Sequence, residues 1–267
     1  MQNTWAVSTL VAITAGLVGF FVVLRGTTFA AHALPLGIFP GAAAASLLGI
    51  DQIFGLFGFA VLGVAGISWL SRQQRNDVAT ALTLIALLGL GTLFLSLSRQ
   101  YSQSVYALLF GEVLGVSRQA VAAVALASCG IVAAILLLFR PLLLSAVSRD
   151  LGATRGISAA GLEILFLTVL AISTAIALPV VGALLVFSLM VGPASAARAF
   201  SARPLVAMCL SVAIAVAIAW ASIALSYACN WPVGFFVGSL AALAYAVGRL
   251  RIRSARAQTG HRALNAP

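Results

Sequence analysis

Few side chains in this sequence can do chemistry. Its 267 residues include two His, three Cys and five acidic residues, against fifteen Arg and no Lys. His32 is the one imidazole outside the basic C-terminal stretch, within Thr28-Phe29-Ala30-Ala31-His32-Ala33-Leu34-Pro35-Leu36-Gly37-Ile38-Phe39-Pro40-Gly41. A neutral imidazole suits Zn, Mn or Fe, but one ligand alone makes no metal site. A His hydrogen-bonded near a membrane interface is the blander alternative. Glu112 is a carboxylate in an otherwise apolar segment, Leu109 to Gly115. Asp51, Asp77 and Glu163 stand at or near the ends of apolar runs, where cap or interface roles explain them. There is no G-x-x-x-x-G-K-[ST], no H-E-x-x-H, no G-x-S-x-G and no paired His/Cys spacing. The chain therefore has no P-loop of its own, no catalytic constellation and no tightly bound cofactor. Cys129, Cys209 and Cys229 lie far apart, in or beside apolar runs, and read as small buried hydrophobes.

The elements that must position these groups are membrane helices. Hydrophobic residues make up 63% of the chain, charged residues 7%, and the mean hydropathy is +1.15. That composition belongs to an all-α polytopic membrane protein. Apolar runs fall at about 5–24, 30–50, 52–70, 78–98, 119–139, 160–178, 180–200, 204–226 and 231–248. A shorter run, 104–115, reads as a surface or re-entrant piece. Eight or nine crossings result, the count turning on whether 180–200 fully crosses. Nine place the N-terminus outside and the C-terminus in the cytoplasm. Thirteen Arg then lie on the cytoplasmic side and only Arg99 and Arg118 outside, the expected positive-inside bias. The net charge of +10 is thus a matter of orientation, not of nucleic acid. The first run is too long, and its start too poor in positive charge, for a cleavable signal. We expect one transmembrane domain over 1–250 and a basic, disordered cytoplasmic tail over 251–267.

Two stretches stand out within this frame. Between Pro179 and Pro193 lie thirteen mostly apolar residues, roughly 20 Å as a helix, against the about 30 Å of a hydrocarbon core. The stretch is either a proline-interrupted span continuing to Phe200 or a segment that enters the membrane and stops. Backbone groups freed by proline cannot face lipid, so protein or a water-lined cavity must surround them. This makes Pro179, Gly182 and Pro193 candidates for a translocation pathway, together with His32 and Glu112. A kinked but ordinary packed helix is the alternative. The other stretch is the hydrophilic loop Pro141 to Ala159, cytoplasmic by the same topology. Its core, Ser148 to Ile157, reads as a short helix with Ser148 as N-cap, Asp150 in the first turn and Gly156 as stop. Such a helix either lies on lipid headgroups or serves as a docking knob for a cytoplasmic partner.

Four segments resemble the permease subunits of zinc, manganese and iron ABC importers, in that family's order. They are Phe21-Val22-Val23-Leu24-Arg25 with Phe29 and Gly41; Leu109-Phe110-Gly111-Glu112-Val113-Leu114; Asp150-Leu151-Gly152-Ala153-Thr154-Arg155-Gly156-Ile157; and the specific segment Val181 to Arg198. The resemblance implies a multi-pass inner-membrane importer subunit that is not itself an enzyme. It implies two permease copies, a separate ATPase dimer on the cytoplasmic loop 146–158, and an extracytoplasmic metal-binding protein. Asp150, Ala153, Arg155 and Gly156 would then meet the ATPase, a divalent metal would be the cargo, and alternating access would be the mechanism. The chain departs from the family where ligands are expected. An Asp and a His four residues apart correspond to His32 and Leu36, and a further family His falls at Ile85. A permease for a metal chelate or other small solute, a stand-alone proton-coupled carrier and a structural membrane protein are the alternatives.

Overall fold

The computed structural model describes residues 2–71, 76–97, 118–147 and 158–264, and every element among them is helical. In chain order the helices are α1 (Gln2–Arg25), α2 (Thr28–Ile38), α3 (Pro40–Leu48), α4 (Gln52–Leu70) and α5 (Asn76–Leu97). They continue as α6 (Arg118–Val147), α7 (Ala159–Val181), α8 (Ala183–Phe200), α9 (Pro204–Cys229) and α10 (Val233–Leu264). Eight segments are long and apolar enough to cross a membrane, with α2 and α3 counted together as Thr28–Leu48; α8 supplies a shorter apolar helix.

α1 and α7 form the interior: in each, 72% of the most apolar window is buried, against 17% for α10 and 22% for α6. α1 is apolar nearly all round, with Val7, Val11, Ala15, Val18, Phe21 and Val22 all buried. A helix of that kind belongs in the middle of a bundle. Small residues set how closely its neighbours come. A Cβ on Gly16 would lie 2.7 Å from Val212 Cα in α9, and one on Gly19 would lie 2.1 Å from the Met190 carbonyl oxygen in α8. Gly41 of α3 and Gly55 of α4 face each other just as closely. In a membrane, where lipid is as apolar as leucine, such close approach holds helices together.

The pairings also fix direction. Trp5 and Thr9 meet Trp220 while Gly16 meets Ser211, so α9 runs against α1. Gly19 meets Met190 and Val23 meets Arg198, so α8 runs with α1. Gly234, Gly192 and Gly248 pair with Leu185, Ala241 and Ala196, so α8 and α10 run together. α4 and α5 run opposite ways, with Gly63 near Leu87 and Gly66 near Thr83, whereas Gly37 near Leu87 and Pro40 near Gly91 align α2 and α3 with α5. Among the described residues, α1, α8 and α10 thus run one way and α9 the other. The end carrying Arg25, Ser145, Phe166 and Arg198 is called the arginine end below.

Three sequence expectations change. The 180–200 run is interrupted once, at Gly182, and α8 continues through Pro193 to Phe200. All three cysteines are exposed instead of buried. Apolar lipid and an apolar core select the same residue types, so composition does not say which way such a side chain faces. The tail is helical in backbone as far as Leu264. Its Ala and Arg are strong helix formers and carry the α10 helix onward.

Candidate translocation pathway

His32 lies in the second turn of α2, and the local sequence explains the shape of that helix. Pro35 sits inside α2, and Pro40 opens α3. Phe39 between them keeps helical angles, φ −55° and ψ −34°, and its N–H bonds the Pro35 carbonyl at 3.2 Å. The chain therefore bends without reversing, and α2 and α3 make one interrupted pass. Each proline also leaves a carbonyl four residues earlier without its usual amide donor, here those of Ala31 and Leu36.

Phe29, His32 and Leu36 recur at helical spacing and share a face of α2. Phe29 and His32 are exposed and Leu36 is half-buried. Across from them stands α8. The His32 ring meets the Phe187 ring edge-on, with centroids 4.9 Å apart and planes at 72°. Phe187 is placed there by the break at Gly182, whose φ of 88° and ψ of 152° suit glycine alone. The Gly182 N–H closes α7 on the Leu178 carbonyl at 2.9 Å, and its own carbonyl accepts from Leu185 and Val186 to start α8. Gly182 and Pro193 are buried; Pro179, in the last turn of α7, is exposed. The structure thus brings His32 and α8 together. Pro179, Gly182 and Pro193 lie along one broken α7–α8 unit.

Toward the arginine end, a groove of about 580 Å³ opens beside the α1–α2 turn, lined by Gly26, Thr28, Phe29, Asp77, Val78 and Leu82. Val78, Leu82 and Ile85 of α5 are exposed along one side of that helix. No group of three or more His, Cys, Asp or Glu converges among the described residues.

Glu112, Asp150, Ala153, Arg155 and Gly156 lie outside the described residues. At the margin of the 148–157 segment, Ser158 caps α7, its hydroxyl accepting from the Gly161 N–H at 3.0 Å. Asp51 caps α4 in the same way, accepting from the Ile53 N–H at 2.9 Å, and Asp77 lies in the first turn of α5, as their positions in the sequence suggested. Two contacts were not anticipated. Phe187 lies inside the Val181–Arg198 segment, but nothing in its spacing points to His32. Arg25 closes the Phe21–Arg25 segment, and its guanidinium donates to the Ser145 hydroxyl while lying 5.3 Å from the Phe166 ring centre.

A bundle of interrupted apolar helices with an exposed imidazole on one wall defines a polytopic membrane protein. Comparison with known proteins narrows the class. The chain belongs to the ABC 3 transport family, which it matches over residues 1–251. It is 26% identical over 236 residues to the manganese import system permease protein ScaB of Streptococcus parasanguinis, covering 88% of this chain and 84% of the relative. It is 28% identical over 225 residues to the manganese transport system membrane protein MntC of Halalkalibacterium halodurans, covering 84% and 77%. Among solved structures, PsaBC from Streptococcus pneumoniae in complex with Fab aligns with a TM-score of 0.83 at 23% identity, over 92% of this chain and 90% of that one. An inward-facing ABC transporter described as metal-chelate type aligns at 0.68 and 16% identity, over 92% and 85%. These likenesses agree with the fold described above and with a multi-pass protein of the cell membrane.

Proposed function

We propose that this chain forms the translocation pathway of an ATP-driven importer for a divalent transition metal ion, with manganese the first candidate among Mn, Zn and Fe. The observation that carries the reading is His32. An imidazole on the exposed face of a membrane helix is costly in lipid, so a second copy of the chain or a water-lined path must cover it. The manganese permeases among its relatives support the choice of ion. In this reading two copies face each other across α2 and α8, with Pro179, Gly182 and Pro193 shaping the broken unit behind the pathway. Glu112 stands near its outer mouth. The arginine end is cytoplasmic, as the positive-inside bias favours. There an ATPase dimer contacts the 146–158 loop through Asp150, Ala153, Arg155 and Gly156, and a separate extracytoplasmic protein delivers the ion. ATP binding and release shift the pair between outward-open and inward-open states. The permease domain spans 1–250.

The test is uptake into liposomes holding the permease with its ATPase and binding protein. ATP-dependent uptake of radiolabelled manganese is expected, and His32→Ala should lower it several-fold. Absence of ATP-dependent uptake of Mn, Zn and Fe alike would defeat the metal reading. A second reading, cargo in the form of a metal chelate, draws on Leu36 and on Ile85, an exposed apolar residue where the family carries a ligand. Undiminished uptake in His32→Ala would favour it.

A further inference from the structure

We propose that Arg25 is the positioning residue that couples the arginine ends of α6 and α7 to the pathway; this rests on the importer reading above. Arg25 ends α1 and is only half-exposed, with its Nε shielded from solvent. An arginine serving merely to mark the cytoplasmic side would extend into water. This one turns inward and touches both arms of the connection between α6 and α7. Its Nη1 donates to the Ser145 hydroxyl near the end of α6, two residues before Val147. Its guanidinium also lies 5.3 Å from the centre of the Phe166 ring, two turns into α7. Ser145 in turn donates to the Leu142 carbonyl at 3.0 Å, which ties its hydroxyl to the α6 backbone. A planar guanidinium suits this double duty, presenting edge donors to one helix and a face to the aromatic ring of another.

The same end of α1 is tied to the pathway helix. Arg198 of α8 donates to the Val23 carbonyl at 3.1 Å, and farther up the Gly19 backbone lies directly against the Met190 carbonyl. Three residues beyond Met190, toward the opposite end, is Phe187 with its edge contact to His32. A displacement of the arginine ends of α6 and α7 thus has a continuous, closely packed route: Arg25, the α1 backbone, Met190, Phe187, His32. Contiguity alone does not prove coupling, so the readout must be coupling itself.

The test compares wild type with Arg25→Gln, Arg25→Lys, Ser145→Ala and Phe166→Leu, each purified as the complex with its ATPase in lipid nanodiscs or liposomes. The expected result for Arg25→Gln is retained ATP hydrolysis and ATPase binding, with an about tenfold rise in ATP consumed per manganese ion moved. Arg25→Lys keeps the charge but not the fork and should uncouple less than Gln. Uptake and hydrolysis falling in proportion, so that their ratio holds, would overturn the proposal. Should Arg25→Gln not assemble, Ser145→Ala and Phe166→Leu decide: an unchanged ratio in both overturns it equally. A second measurement is independent of the ion. In a Cys129→Ala, Cys209→Ala, Cys229→Ala background, Phe187→Cys is labelled with a maleimide with and without ATP. ATP should change the labelling rate when Arg25 is present and not after Arg25→Gln. An equal response in both refutes the role of Arg25, whereas failure of manganese uptake in wild type refutes only the choice of cargo.

Discussion

Gly19→Ala should separate α1 from α8. The added Cβ would lie 2.1 Å from the Met190 carbonyl oxygen and 2.7 Å from its carbon. Ordinary contact begins at 3.4 Å, and 3.4 less 2.1 leaves about 1.3 Å to be found between α1 and α8. Both obstructing groups are helix backbone, so no side-chain rotation relieves the clash. Nor can α1 simply retreat. Phe21, two residues on and so about 200° round the helix, already packs edge-on against Phe139 of α6 with centroids 5.7 Å apart. Overpacking of this kind costs about 1–3 kcal/mol. At about 2–4 °C per kcal/mol for a chain of this size, the melting temperature should fall by about 5 °C. Gly130→Ala in α6 is the control, since nothing lies within 4 Å of its would-be Cβ. Alanine is the better helix former there by about 1 kcal/mol, so that variant should be unchanged or slightly more stable. Intrinsic fluorescence during heating in detergent measures both. Equal melting temperatures for the two variants would refute the close α1–α8 approach, and with it the route from Arg25 to Phe187.

Two further outcomes follow from particular contacts. Asp51→Ala removes the acceptor for the Ile53 N–H and should cost about 1 kcal/mol of stability while leaving transport intact, read by the same melting assay beside uptake. With Cys129 and Cys209 replaced by Ala, the exposed Cys229 at the far end of α9 from Pro204 should react with a membrane-impermeant maleimide on intact cells. A chain retaining only Cys209, five residues from the arginine end of α9, should not. The reverse pattern would invert the topology.

The helices were legible because crossing a bilayer requires long apolar runs, and little else in a sequence looks like one. Eight of the expected apolar runs return as helices long enough to cross a membrane, and the 180–200 run returns as a shorter one. What periodicity could not give was the facing of each helix. Lipid and core both accept Leu, Val and Cys, so the exposed Cys129, Cys209 and Cys229 and the buried Phe20, Phe21 and Phe166 carry no distinguishing mark. Proline also misdirected the placement of the break. Pro193 merely lacks an amide hydrogen and stays within α8, whereas the chain turns at Gly182, where positive φ is needed. The signal was the Gly beside Pro179, visible but weaker than the prolines themselves. Arg25 was read as an orientation mark and as the close of the Phe21–Arg25 segment, because the partners that touch it are 120 and 141 residues away.

The scarcity of ligands bears on how ion selectivity arises. A pathway must hold its ion well enough to admit it and loosely enough to release it. His32 offers one uncharged donor, with no carboxylate on the same helix. Such a ligand neither neutralises a divalent cation nor encloses it, and no cluster of three titratable ligands supplements it among the described residues. On the importer reading proposed above, discrimination among Mn, Zn and Fe would fall to the protein that delivers the ion. The purified permease should therefore show no manganese or zinc retained through gel filtration, and the imported ion should change when the delivering protein is exchanged for one that binds another metal. Stoichiometric metal remaining on the isolated permease, and lost in His32→Ala, would show instead that the membrane subunit holds the selective site.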